Sequence, residues 1–99
     1  MGEFVVRGVK IGNVISFRWR FMEALVQLDM SLRVGDRVQI VGPETDFRQT
    51  VEKLRLDHEN VKRGKAAQHV WMPVNERVRP GDAVVVIERA DQPEAKTES

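Results

Sequence analysis

No cysteine occurs anywhere in the 99-residue chain, which excludes disulfides, a thiolate nucleophile and cysteine-ligated zinc. A stable fold must therefore come from packing alone, in keeping with a cytoplasmic protein. Long apolar runs are equally missing. The longest, Ala83 to Ile87, is far short of the roughly 20 residues that a membrane-spanning helix requires. The first residues lack the basic and apolar layout of an export signal, so neither membrane insertion nor secretion is expected. Charge of one sign is scarce as well, with a formal net charge of +1. That balance hides an asymmetry. Between Phe4 and Ala90 there are 15 basic and 11 acidic residues, whereas three acids and one lysine follow from Asp91 onward. A mildly basic body tolerates RNA or an acidic partner without demanding either.

What remains is an ordinary globular composition, 41% hydrophobic and 31% charged, in a chain with room for one core. Short segments of alternating polarity recur along it. Val9–Ile15, Phe21–Leu28, Arg37–Val41, Gln49–Leu56 and Ala66–Val74 each read as a strand, and Ala83–Glu88 as a sixth, largely apolar one, with turn residues between them. Val34-Gly35-Asp36 is a tight turn before the third strand, and Val78-Arg79-Pro80-Gly81-Asp82 repeats its logic before the sixth. In the fourth strand the parity slips, because Val51 lies opposite to Leu54 and Leu56. A β-bulge near Glu52 and Lys53 would return all three to the interior. Asp57 to Gly64 reads as a loop or one helical turn, and Pro73 places the end of the fifth strand at an edge or bulge. The predicted organisation is an N-terminal extension over residues 1–8, one barrel domain over 9–90 and a disordered acidic tail over 91–99.

The run Leu32-Arg33-Val34-Gly35-Asp36-Arg37-Val38-Gln39-Ile40-Val41-Gly42 resembles the second domain of elongation factor Tu and related translational GTPases. Thr45-Asp46-Phe47, Gln49-Thr50-Val51-Glu52, Asp57-His58 and Val78 to Asp82 extend this resemblance, in order, to small translation elongation factor-like proteins. The resemblance implies an all-β fold, a closed six-stranded antiparallel Greek-key barrel, in a translation-linked setting. It also implies contact with RNA, the ribosome or a translation-associated protein. Two stretches depart from the pattern. Lys62-Arg63-Gly64-Lys65 puts a basic cluster where relatives carry an Ala-Gly-Asp turn, and Phe17 to Phe21 is unusually aromatic and basic. No Gly-rich loop ending in Gly-Lys-Ser or Gly-Lys-Thr is present, so GTP hydrolysis is not expected.

Two groups of side chains stand out as candidate contacts. Arg18, Trp19 and Arg20 would place two guanidinium groups around an indole at a hairpin tip, suited to stacking on a base and pairing with phosphate, or to capping the barrel mouth. Lys62, Arg63 and Lys65 would offer three positive charges on one loop, which could also be a solvated surface. His58 and His69 read as a loop histidine and a strand-surface histidine, and Ser16, Ser31 and Ser99 sit in no nucleophile context. No catalytic residue, cofactor or metal ligand is expected. The reading is a non-enzymatic module that binds RNA or a ribonucleoprotein surface. The alternative is a protein-interaction accessory subunit, similar to the C-terminal barrel found on a collagenase-like peptidase family.

Overall fold

The computed structural model describes residues 8–90, and the readings of residues 1–7 and of the acidic tail lie outside them. Among these residues ten strands follow one another: β1 Val9–Arg18, β2 Glu23–Leu28, β3 Leu32–Arg33, β4 Arg37–Gly42, β5 Thr45–Thr50, β6 Leu54–Leu56, β7 Glu59–Val61, β8 Arg63–Gly64, β9 His69–Pro73 and β10 Ala83–Glu88. Eight of them form one antiparallel sheet in the order β5-β4-β10-β1-β2-β9-β6-β7, and β3 pairs with β8 in a separate ribbon. No helix occurs among the described residues. The Asp57 to Gly64 segment, expected as a loop or a helical turn, instead forms β7 and β8.

The all-β antiparallel expectation holds, but the six-stranded closed barrel does not. Among the described residues no ladder joins the two ends of the sheet. The sheet nevertheless curls tightly, because only Val51, Glu52 and Lys53 separate β5 at one end from β6 near the other. Four residue steps reach at most about 14 Å, whereas six strand spacings in a flat sheet would cover roughly 29 Å. Across the remaining gap the side chain of Gln49 takes the place of a ladder. Its Nε2 donates to the carbonyl of Pro73 at 2.8 Å, and its Oε1 accepts from the amide of Asn75 at 2.7 Å. Gln49 is buried, so the link lies out of competition with water.

The parity slip expected in one bulged strand thus has a different origin. Up to Thr50 the chain pairs with β4; from Leu54 it pairs with β9 and β7. Val51 and Leu54 are both fully buried because each belongs to a different pairing. True register shifts occur instead in β1, at Ile11 against β10 and at Ile15 against β2. The second turns Ile15 outward, to 38% exposure, while Val14 and Phe17 on either side pack inward.

A single cluster forms the core, with Ile11, Val26, Leu28, Leu32, Ile40 and Met72 among its fully enclosed members. The two Gly-Asp turns seal it by the same device. Asp36 accepts from the Arg33 amide at 2.9 Å, and Asp82 from the Arg79 amide at 2.8 Å. Gly35 and Gly81 adopt φ of 101° and 96°, a region open mainly to glycine. Their amides donate to the carbonyls of Val51 and Val14, whose own amides donate back to Asp36 and Asp82. Asp36 carries more, since its carboxylate also accepts from the Ala90 amide at 2.7 Å and from Arg89 at 3.0 Å.

Candidate functional site

The hairpin between β1 and β2 is where the sequence concentrates exposed aromatic surface. Its turn closes through the Phe21 amide donating to the Arg18 carbonyl and the Met22 amide to that of Trp19, at 3.1 and 3.3 Å. Met22 takes a left-handed φ of 49°, unusual for a bulky side chain. Val74 holds it there by donating its amide to the Met22 carbonyl at 2.9 Å. Trp19 and Phe21 emerge 65% and 63% exposed, and Arg20 lies over the Trp19 ring at 5.4 Å. Trp19 also borders an open groove of about 410 Å³, with Ile15 and Phe17 on one side and Arg77 and Pro80 on the other.

Arg18 points away from that groove. Its guanidinium carbon lies over the Phe21 ring at 4.8 Å and the Trp71 ring at 4.6 Å; it forms no ion pair among the described residues, although its charge helps to lower the pKa of Glu23, its partner in the β1–β2 ladder. Beneath it the register lines up three strands: Leu25 of β2 faces Trp71 of β9, which faces Arg55 of β6. Arg55 is pinned by Glu23 through two hydrogen bonds of 2.6 and 3.1 Å, with both side chains largely enclosed. The hydrogen bond from Arg55 lowers the Glu23 pKa below its usual value, outweighing the opposing effect of burial, and the same bond raises that of Arg55.

Arg18, Leu25, Arg55 and Trp71 wall a cavity of about 400 Å³, completed by Asp57, His58 and His69. Asp57 and His58 form the two-residue turn between β6 and β7, with φ of 50° and 72°, the left-handed pair that a tight hairpin needs. His69, opposite Gln27 in the ladder, sits on the same outer face as Trp71. The two histidines, remote in sequence, thus border one cavity. Among the described residues no group of three or more His, Asp or Glu side chains converges to hold a metal.

The six charged and aromatic candidates do not form one surface. Arg18, Trp19 and Arg20 share the β1–β2 tip. Lys62, Arg63 and Lys65 line the β3–β8 ribbon, where the Lys62 carbonyl accepts from Val34 and Arg63 lies opposite Arg33. Gly64 of that ribbon packs against Leu28, at the far end of β2 from the hairpin. Five residue steps along a strand separate the two groups by roughly 17 Å.

No family model matches the chain. Its fold is similar to the C-terminal domain of a U32 peptidase from Geobacillus thermoleovorans. The selenomethionine form of that domain superposes with a TM-score of 0.74 and 25% identity, covering 77% of this chain and 96% of that one. A second structure of the domain gives 0.72 and 24%, with coverage of 84% and 96%. In sequence, the chain is 29% identical over 82 residues to an uncharacterized protease of Methanocaldococcus jannaschii. It is 32% identical over 84 residues to a collagenase of Porphyromonas gingivalis. It spans 20% and 23% of the length of these relatives, respectively.

The translation-factor resemblance and the RNA, ribosome or translation partners drawn from it are therefore corrected. The residues that carried it explain the error. Leu32, Asp36, Val38, Ile40, Thr45, Phe47, Gln49 and Val51 are all buried. They specify a curled sheet and its turns, and a shared scaffold does not transmit a partner. The relatives are peptidases, so the accessory alternative weighed in the sequence is the one that the comparisons favour.

Proposed function

We propose that this chain is a non-catalytic accessory module that docks through its β1–β2 hairpin on the catalytic part of a U32-type peptidase. The observation that carries the reading is a match of scale. The described fold corresponds to nearly all of a separable C-terminal domain but only about a fifth of the proteases that contain such a stretch. The remaining four-fifths of those relatives is the natural counterpart for an exposed apolar surface. Trp19, Phe21, Ile15 and Met22 supply that surface, with Arg18 and Arg20 as its charged neighbours. Tryptophan and arginine at such positions dominate binding when a partner excludes water from them. A catalytic role is disfavoured by the surroundings of Ser16, whose groove is lined by no histidine or carboxylate.

Binding of the purified chain to the catalytic part of a U32-type peptidase from the same cells tests this. Trp19→Ala should weaken the complex by about 2 kcal/mol or more, roughly 30-fold. Equal binding by the variant would remove the hairpin from the interface, and peptide cleavage by the chain alone would end the accessory reading.

A further inference from the structure

The cavity beneath Arg18 is built for a ligand that the hairpin surface does not address. We infer that it binds a single carboxylate carried by a peptide, with Arg18 as the pairing group; the choice of a peptide rests on the accessory reading above. Four observations carry the inference. The Arg18 guanidinium carbon lies over the Trp71 and Phe21 rings at 4.6 and 4.8 Å, and a guanidinium held against aromatic rings keeps its N–H edge for a hydrogen-bonded partner. That edge has no carboxylate partner among the described residues. Stacking also holds the side chain in place, so less rotamer entropy is lost when a ligand arrives.

Arg55, the second guanidinium in the wall, is already committed to both oxygens of Glu23. The cavity therefore presents one guanidinium, Arg18, that feels the Glu23 charge but makes no ion pair among the described residues, which matches a monoanion better than a doubly charged phosphate. Asp57 strengthens this preference, because it would repel a second negative charge while accepting a hydrogen bond from a backbone N–H. A planar carboxylate meets the arginine fork with two parallel bonds, the geometry in which arginine pairs best. The volume of about 400 Å³ accommodates a side chain with adjoining backbone, within the range of about 300–1,000 Å³ common to small-ligand pockets.

The test uses the full 99-residue chain, ¹⁵N-labelled, and three hexapeptides. One is capped at both ends with a central Glu; the second replaces that Glu by Gln; the third is the Gln peptide with a free C-terminal carboxylate. The Glu peptide, the free-terminus peptide or both should shift the Trp71 indole N–H and the Arg18 guanidinium signals, whereas the capped Gln peptide should not. Which of the two acidic peptides binds identifies the source as a side chain or a chain terminus. Arg18→Gln should weaken binding at least about tenfold, and Arg18→Lys, which keeps the charge but loses the fork, should fall between. Lys10→Gln, an exposed position near the far end of β1, should leave binding unchanged.

Binding of the capped Gln peptide as tightly as both acidic peptides, or binding of none of the three, would overturn the inference. So would an undiminished affinity in Arg18→Gln, or displacement of the peptide by an equal concentration of inorganic phosphate. Capture of the peptidase is measured separately, through Trp19→Ala. Lost peptide binding with intact capture removes only the carboxylate site, and lost capture with intact peptide binding removes only the docking reading.

Discussion

Two buried or half-buried carboxylates illustrate how much of this molecule rests on single polar side chains. Asp36 is completely enclosed and gathers two backbone amides and Arg89, joining the β3–β4 turn to the end of β10. Asp36→Ala would remove the shared acceptor of the Arg33 and Ala90 amides, in two part-buried hydrogen bonds. The expected cost is about 2–4 kcal/mol, measured by urea unfolding. Glu23 adds an acid sensitivity of known sign. Its folded pKa lies below the ordinary value of 4.5, so its ionised form binds Arg55 more tightly in the folded state. That stabilisation is complete above the unfolded pKa and is lost as pH falls through the lowered folded value. Glu23→Gln should therefore flatten the decline of the melting temperature below about pH 4.5, relative to the unaltered chain. An identical acid limb in both proteins would show that the pair contributes nothing.

At the scale of elements, the seam between β5 and β9 decides whether the sheet stays curled. Among the described residues Gln49 stitches it, to the Pro73 carbonyl and the Asn75 amide. Gln49→Leu keeps the apolar bulk but strands both backbone groups, and should cost about 2–3 kcal/mol by denaturant unfolding. Little loss would mean that the covalent link through Val51 to Lys53 suffices. Sequence reading could not have found this seam. A glutamine facing inward looks like an error of alternation, and β5 contributes Phe47 as its one large apolar side chain, with Asp46, Arg48 and Thr50 turned outward. The strands that were legible are β1, β2, β4 and β9, in which Val, Ile, Leu and Met alternate with other residues, and β10, a short apolar run that follows a Gly-Asp turn. The two-residue strands β3 and β8 are too short to have a period. Likewise the Arg18, Trp19 and Arg20 cluster was visible as a tripeptide, whereas the cavity was not. Its walls come from β1, β2, β9, β6 and the β6–β7 turn, which only strand order brings together.

For the whole molecule, strand order sets a gradient of protection. β10 and β1 lie near the middle of the eight-stranded sheet, each flanked on both sides, whereas β5 and β7 end it. Amide hydrogen exchange should be slowest in Ile11, Val14, Val84 and Val86 and markedly faster in β7, whose Glu59 and Asn60 are exposed. Comparable protection in β7 would indicate a neighbour covering that edge. The central pairing has another consequence. β1 and β10, the first and last strands, are hydrogen-bonded partners, with Val9 opposite Val86. Polypeptide therefore enters and leaves this fold side by side, like the two leads of a plug. Such a unit can be spliced into a host protein, or hung from one end of it, without threading a chain through its interior. That portability fits a piece which recurs at the scale of a fifth of a protease.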